Sequence, residues 1–315
     1  MEIGYSLAGE ELGPEHMVRS AQRAEQLGFR SAWISDHFHP WIDRQGQSPF
    51  VWSVIGGIAA TTDLRVGTAV TCPLIRTHPA IVAQAAATSA AMVQGGFFLG
   101  VGTGEALNEH IFGDRWPPAD LRLEMLEEAV TVMRKLWEGG LQSHEGKHYR
   151  VENARLYTLP DHPIPVMMSG FGQKSVELAG RIGDGYIGTA PDTDLLSTFD
   201  RAGGAGKPKL AGIKVCWAED ERAARRTAYD LWPNLGLPGQ LAQDLALPAL
   251  FEQAVELVDE DQATSQVPCG PDPERHLDVI RTYADSGYDA VFVHQIGPDQ
   301  DGFLRFYAEE VLPKV

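Results

Sequence analysis

Two apolar runs of the chain each end in side chains that could do chemistry. The run Ala32–Ser35 is followed by Asp36 and His37, and the run Phe97–Val101 is followed, after three small residues, by Glu105. Short apolar runs are typical of buried strands, and the carboxyl ends of parallel strands meet on one face of a fold, where catalytic groups cluster. The sequence therefore predicts that these side chains share one site.

The first of these segments suggests acid–base chemistry. An aspartate beside a histidine can orient the imidazole or tune it for proton transfer near neutral pH. A helix cap followed by a surface histidine is the alternative interpretation. Trp41 follows His37 closely, with Phe38 and Pro40 between them, which favours a pocket that receives a planar ring over a solvent loop. Asp36, His37 and Trp41 are therefore candidate site residues.

The second segment combines a carboxylate and an amide with a turn of little side-chain bulk. Gly102-Thr103-Gly104 allows the backbone to approach a ligand closely, while Glu105 and Asn108 follow within the same space. The glycines could equally serve a tight turn between strand and helix. A nicotinamide-binding Rossmann domain is excluded, because its fingerprint needs a third glycine and a downstream acidic residue that are not in register here.

A third strand-like run, Pro165–Met168, is followed by four residues that directly precede a predicted helix: Ser169, Gly170, Phe171 and Gly172. Free backbone N–H groups at a helix start bind anions, and phosphate sites late in the order of strands are common in barrels. A simple Ser-Gly helix cap is the structural alternative.

Composition narrows the class of protein. The chain has 315 residues, 43% of them hydrophobic, and a formal charge of −17, which argues against a nucleic-acid or anionic-membrane surface. No apolar stretch approaches the length of a membrane span and the amino terminus lacks a secretion pattern, so a cytoplasmic enzyme is expected. The three cysteines and the histidines have no spacing typical of disulfide frameworks or metal sites.

Strand-like runs alternate with amphipathic helical stretches along the whole chain. Eight such units favour a (β/α)8 TIM barrel, an α/β fold, over a doubly wound sheet, and we expect a single domain over 1–315. The stretches 138–159, with a hairpin around His144–Lys147, and 234–271 exceed a minimal barrel and are candidate lids or dimer surfaces. The predicted strands are Ile3–Leu7, Ser31–Ser35, Leu64–Val70, Phe97–Val101, Pro165–Met168, Gly185–Ile187, Leu210–Trp217 and Ala290–Val293. The predicted helices are Pro14–Leu27, Phe50–Ala60, Pro79–Met92, Ala119–Trp137, Gln173–Ile182, Asp194–Ala202, Glu219–Leu231, Pro273–Ser286 and Gly302–Val311.

Three motifs give the chain a family resemblance over nearly its whole length. They are Ser35-Asp36-His37-Phe38-His39-Pro40-Trp41, the run Gly100-Val101-Gly102-Thr103-Gly104-Glu105-Ala106-Leu107-Asn108-Glu109, and Ala179-Gly180-Arg181-Ile182-Gly183-Asp184-Gly185. With them the sequence resembles the bacterial luciferase-like superfamily, specifically the deazaflavin coenzyme F420-dependent oxidoreductases close to the F420-dependent glucose-6-phosphate dehydrogenases.

The resemblance implies a barrel that works as a homodimer and holds F420 in its mouth, against the strand with Gly67–Val70. It also implies a non-proline cis peptide at Ala69–Val70. By position, His37 and Glu105 match the acid–base pair, in an order that the sequence leaves open, and Trp41 packs at the reaction centre. Cofactor-binding positions are matched by Asp36, Ala69, Val70, Thr71, Gly104, Asn108, Ser169, Gly170, Phe171 and Gly172.

The chain departs from the resemblance where the sugar phosphate would bind. Basic residues hold that phosphate in the glucose-6-phosphate enzymes, whereas this chain has Pro191–Thr193 and Glu252–Ala254 in the corresponding regions. A phosphate site without Lys or Arg would be poor. We therefore expect an F420-dependent dehydrogenase for an alcohol or unphosphorylated sugar. The alternatives are a luciferase-like monooxygenase that uses FMN, and a barrel that only binds or stores F420.

Overall fold

Eight parallel strands close into a barrel in the computed structural model, which describes residues 1–315. The chain has ten strands, numbered β1 to β10 in chain order, of which β5 and β6 form a separate pair outside the barrel. The order around the barrel is β1, β10, β9, β8, β7, β4, β3, β2, so the chain winds once around it and the last strand pairs with the first. This confirms the predicted (β/α)8 fold and all eight of its strands. The bounds are β1 Glu2–Leu7, β2 Ser31–Ile34, β3 Arg65–Thr68, β4 Phe97–Val101, β5 Gln142–Glu145, β6 Arg150–Ala154, β7 Val166–Ser169, β8 Gly185–Gly188, β9 Lys209–Val215 and β10 Ala290–Gln295.

The helices that surround the barrel begin where local sequence signals place them. Pro14 and Pro79 occupy first-turn positions, where a missing N–H costs nothing, and Asp220 and Asp272 accept hydrogen bonds from the first N–H groups of their helices. The bounds are α1 Pro14–Gln26, α2 Val51–Ala59, α3 Pro79–Met92, α4 Ala106–Glu109, α5 Ala119–Trp137, α6 Gln173–Ile182, α7 Thr193–Phe199, α8 Glu221–Leu231, α9 Leu241–Asp244, α10 Pro248–Val255, α11 Glu260–Thr264, α12 Pro273–Ser286 and α13 Gln300–Phe306. No helix is both long enough and apolar enough to cross a membrane.

The barrel interior is filled by large side chains opposite glycines. Trp33 stacks on Phe292 with ring centroids 4.2 Å apart, and a β-carbon at Gly4 would collide with the Phe292 ring. The lower interior is therefore a packed core and not a channel, as expected of a barrel of this size. Chemistry is left to the upper end, where the strands run out.

Two stretches lie outside the minimal alternation. The stretch 138–159 contains the antiparallel pair β5 and β6, with Glu145 opposite Arg150. The stretch 234–271 contains the short helices α9, α10 and α11, which the sequence did not predict because each is too short to show a helical period. Phe251 of α10 belongs to this second stretch and is fully buried, in one cluster with Ile42 of the loop after β2 and Leu107 of α4.

Candidate active site

The loops after β2 and β4 meet through one buried amide. Oδ1 of Asn108 accepts hydrogen bonds from the backbone N–H groups of Phe38 (2.8 Å) and His39 (3.2 Å). Its Nδ2 lies 3.2 Å from Nδ1 of His37 and 3.3 Å from Oε2 of Glu105. The predicted acid–base pair is therefore brought together at the carboxyl ends of the strands, with Asn108 between its two members.

His37 is oriented by groups on three segments. Its Nδ1 is 3.1 Å from the backbone oxygen of His39, and its Nε2 is 3.5 Å from Oε1 of Glu10, which follows β1. Burial acts to raise the pKa of the Glu10 carboxyl, but the charge of His37 and the hydrogen bond from Ser35 outweigh it and lower the pKa. Glu10 is thus a carboxylate at neutral pH, placed to stabilise a protonated His37.

Asp36 does not contact the imidazole, which corrects the expectation that it orients His37. Its carboxylate accepts hydrogen bonds from Oγ1 of Thr71 (2.8 Å) and from Arg76 (2.9 Å). Neighbouring residues of an extended segment point to opposite sides, so Asp36 and His37 face different partners. Arg76 also pairs with buried Glu109 at 3.3 Å, and burial raises the pKa of the Glu109 carboxyl although Arg76 opposes it.

Trp41 packs directly beside the histidine, as the sequence indicated. Its ring centroid lies 5.0 Å from that of His37, and Phe251 meets the indole edge to face at 5.2 Å. The backbone N–H of Trp41 donates to Gln45, whose own amide reaches the carbonyl of Leu231 at the end of α8. An aromatic surface therefore adjoins the imidazole and is fixed from two sides.

The predicted cofactor-binding residues line neighbouring strand ends. The Ala69–Val70 peptide is cis, as the resemblance implied, and a β-carbon at Gly102 would lie 2.7 Å from Cγ2 of Val70. Gly104 has φ of +71°, a conformation that favours glycine. Thr71 forms an isolated bridge with Val101, so these residues adjoin the site of His37 and Glu105.

Ser169, Gly170, Phe171 and Gly172 lie at the end of the next strand, β7, and lead into α6. Gly170 is held by the hydroxyl of Tyr186 at 2.7 Å, whereas Phe171 is exposed. These four residues make no hydrogen bond to His37 or Glu105. The start of α6 leaves backbone N–H groups without partners inside the helix, so this end of the site is suited to an anionic group.

A second polar group at the barrel mouth escaped the sequence analysis. Oε1 of Glu11 accepts from the indole N–H of Trp232 and faces Nε2 of His294 at 2.9 Å, while Oε2 accepts from the backbone of Gly297 at 2.8 Å. Lys214, opposite His294 in the sheet register, places its Nζ 4.7 Å from the centre of the Trp232 ring. Asp36 and Glu105 were singled out because they are polar residues that follow a strand closely. Glu10 and Glu11 follow β1 in the same way, so the same sequence signal could have indicated them.

Other cations that could serve a phosphate site lie elsewhere. Nζ of Lys207 donates to the backbone oxygen of Gly180, Lys209 pairs with Asp200 at the amino-terminal end of β9, and Arg275 pairs with Glu221. Asp192, in one region where a basic residue was expected, caps α7 instead. None of these residues contributes a free cation beside His37.

Comparison with known proteins gives consistent matches over the full chain. Residues 1–290 match the model of the luciferase-like monooxygenase family. An F420-dependent glucose-6-phosphate dehydrogenase of Nakamurella multipartita is 36% identical, covering 100% of this chain and 96% of its own, and one of Microbacterium testaceum is 33% identical, covering 100% and 97%. Among solved structures, an F420-dependent secondary alcohol dehydrogenase in complex with an F420-acetone adduct superposes with a TM-score of 0.91, at 30% identity over 98% of each chain.

Proposed function

The chain belongs to the luciferase-like monooxygenase family, and from that membership and the geometry of the barrel mouth we propose that it is a coenzyme F420-dependent dehydrogenase that oxidises an alcohol. It works in this proposal as one barrel domain over 1–315. The observation that carries the proposal is the Asn108 side chain, whose Nδ2 lies 3.2 Å from Nδ1 of His37 and 3.3 Å from Oε2 of Glu105, so that two proton-transfer groups adjoin one amide.

His37 is the base in this proposal. In the tautomer with its hydrogen on Nδ1, His37 donates that hydrogen to the backbone oxygen of His39, and the lone pair of Nε2 accepts the proton of a substrate hydroxyl. Nδ2 of Asn108 then lies against Nδ1 without donating to it. The carboxylate of Glu10, 3.5 Å from Nε2, stabilises the imidazolium that this transfer creates. Trp41 supplies a flat apolar surface on which the carbon skeleton of the substrate can lie.

The residues present fit a planar ring with an anionic tail. Val70 lies against Gly102, where no side chain intervenes, and the N-terminus of α6 after Gly172 suits phosphate. When bound, F420 supplies the acceptor for the hydride that leaves the substrate carbon. Asp36, Thr71, Gly104, Asn108 and the segment 169–172 are the residues that we propose hold it.

Glu105 is the proposed partner of His37. Its Oε2 receives a hydrogen bond from Nδ2 of Asn108, which orients the carboxyl group without neutralising it. We assign Glu105 to hold and release the second proton of the reaction, on the side of the site that faces Gly102–Gly104. This assignment separates the two proton-handling roles, one on each side of Asn108.

The proposed substrate is uncharged. Arg76 at the barrel mouth is already paired with Asp36 and Glu109, and Arg122 donates to the backbone oxygen of Pro117 and to Gln243. Lys214 lies near the carboxylates of Glu10 and Glu11. Nothing in this set offers the several basic groups that bind a phosphate dianion well. Glucose 6-phosphate is therefore expected to be a poor substrate, and kcat/KM for a neutral secondary alcohol should exceed that for glucose 6-phosphate.

We also propose that the enzyme is a homodimer located in the cytoplasm. Phe50 just before α2 and Ile81 and Met92 of α3 are exposed apolar side chains that the barrel does not cover, and space for a β-carbon at Gly56 of α2 is open. An exposed apolar surface of this kind is typical of a protein interface. The three buried free thiols are compatible with a reducing compartment. Sedimentation analysis of the purified protein tests the dimer.

The cofactor distinguishes the proposal from its alternative. Purified protein is titrated separately into F420 and into FMN, and the fluorescence of each is followed. We expect binding of F420, and reduction of F420 once a secondary alcohol is added. Binding of FMN alone, with oxygen consumption in the presence of reduced FMN, would overturn the proposal in favour of a monooxygenase. Binding of F420 without reduction by any alcohol would leave a binding protein.

A further inference from the structure

Lys214 is the one cation at the barrel mouth whose hydrogen-bonding groups are all unused. It occupies an inward position of β9, since a β-carbon at Gly212, two residues earlier, would lie 3.0 Å from the interior residue Trp33. Its ammonium lies over the face of Trp232 at 4.7 Å and makes no hydrogen bond or ion pair within the protein. An ammonium carries three donors and no acceptor, so this group calls for an oxygen acceptor from outside the chain.

The carboxylates near Lys214 have their oxygens engaged with other groups. Glu11 is bound by Trp232, His294 and the backbone of Gly297. Glu10 accepts from Ser35 at 2.6 Å and faces His37. Burial lowers the pKa of the Lys214 ammonium, and these two glutamates oppose that lowering by charge without bonding to it, so its donors stay free.

The position of Lys214 relates it to the reacting hydroxyl. Glu10 lies 3.5 Å from Nε2 of His37, and its chain neighbour Glu11 accepts a hydrogen bond from the indole of Trp232, over which the Lys214 ammonium lies. Trp41, beside His37, packs against the cluster that contains Trp232. Two indole surfaces and two polar groups, His37 and Lys214, therefore border the same space. A molecule whose carbinol oxygen lies at His37 can present a neighbouring oxygen to Lys214 while its C–H face lies on an indole.

We propose that Lys214 is a specificity-determining residue that binds a second, uncharged oxygen of the substrate, so that the enzyme prefers a polyhydroxylated compound, such as a cyclic polyol or an unphosphorylated sugar, over a simple alcohol. This rests on the proposed function, since it assumes that His37 receives the reacting hydroxyl. Two carboxylates against one ammonium make the local charge negative, which disfavours a phosphate or carboxylate on the ligand.

The test compares cyclohexanol with cis-1,2-cyclohexanediol, which differ by the second hydroxyl alone. In the parent protein loaded with F420, kcat/KM should be higher for the diol. Lys214→Met should lower the ratio of diol to alcohol by about tenfold or more, because a hydrogen bond to a charged group is lost for one compound only. Lys214→Gln keeps a neutral donor and should lower the ratio less. Lys209→Met, on the same strand at the other end of the barrel, should leave the ratio unchanged.

Equal losses for both compounds in Lys214→Met would overturn the inference and assign Lys214 to charge balance around Glu10 and Glu11. Binding of glucose 6-phosphate that depends on Lys214, with diol binding unaffected, would overturn it in favour of an anion site. If the parent oxidises neither compound, the proposed function fails, and calorimetric Kd values for the two compounds still decide the role of Lys214. A selective weakening of diol binding in Lys214→Met supports the inference in that case too.

Discussion

Replacing Asn108 should affect stability and catalysis through separate atoms of one side chain. Asn108→Ala removes the Oδ1 acceptor of two backbone N–H groups, those of Phe38 and His39, and the Nδ2 that lies between His37 and Glu105. An unsatisfied buried N–H costs about 1–3 kcal/mol, and Phe38 is exposed enough for water to reach it, so each N–H is taken at the low end. The free energy of unfolding should fall by about 2 kcal/mol.

Asn108→Asp is the matched variant, because its carboxylate keeps the acceptor and loses the donor. It should retain the two backbone hydrogen bonds but place a second negative charge beside Oε2 of Glu105, which Nδ2 now approaches to 3.3 Å. The double variant Asn108→Asp with Glu105→Gln removes that repulsion and should be more stable than Asn108→Asp alone. In both single variants kcat should fall about 10–100-fold, because His37 and Glu105 lose the amide that lies between them.

Urea unfolding followed by circular dichroism measures the stabilities, and an unchanged slope shows that the unfolded states are comparable. Steady-state reduction of F420 measures kcat. Two results would refute the reasoning: an Asn108→Ala protein as stable as the parent, or a normal kcat in both single variants. The first would mean that water replaces Oδ1 without cost, and the second that Asn108 has no part in orienting His37 or Glu105.

Three further predictions concern the carboxylates and the base. His37→Ala should still quench F420 fluorescence but lose turnover by about 100-fold or more; turnover at the parental rate would exclude His37 as the base. Glu105→Gln should bind oxidised F420 as the parent does and reduce it more slowly in a single turnover, whereas loss of binding alone would reassign Glu105 to holding the cofactor. Glu10→Gln should weaken the acid dependence of stability. Burial acts to raise the pKa of Glu10, but His37 and Ser35 lower it overall, so the unfolded chain takes up the proton first as the pH falls. The stabilisation is present above about pH 4.3 and lost as the pH falls through the lower folded-state pKa; urea midpoints with the same acid dependence in parent and variant would contradict this.

The barrel could be predicted because its signals are local. Each strand is a short apolar run between amphipathic stretches, and helix starts are marked by residues such as Pro14, Pro79 and Asp272. The strand bounds observed differ from the predicted ones by a few residues at most, as with Leu64–Val70 against β3. In contrast, α4 and the helices of 234–271 are held by packing on the barrel mouth, and a helix of four residues has no period to detect.

The site was predicted in its parts but not in its connections. Chain proximity suggested that Asp36 orients His37, whereas the imidazole is flanked by Glu10 and Asn108, which are 27 and 71 residues away in sequence. Such pairings depend on how the loops after β1, β2 and β4 fold over the barrel, and no local pattern encodes that. Arg76 shows the same dependence, since it joins Asp36 to Glu109 across two different loops.

One residue pattern along a strand does mark where packing gives way to chemistry. In β9 the inward positions are Leu210, Gly212 and Lys214, so the series passes from a core side chain to a glycine that accommodates Trp33 and then to a charged group. In β10 the inward series Ala290, Phe292 and His294 passes from apolar side chains to an ionisable ring in the same way. A charged residue is costly inside a packed barrel layer, so its presence at the carboxyl end of the inward face indicates contact with ligand or water. The alternation of residues along each strand is enough to single out Lys214 and His294 by this reasoning, which makes the upper layer of β9 and β10 the place to seek the determinants of substrate choice.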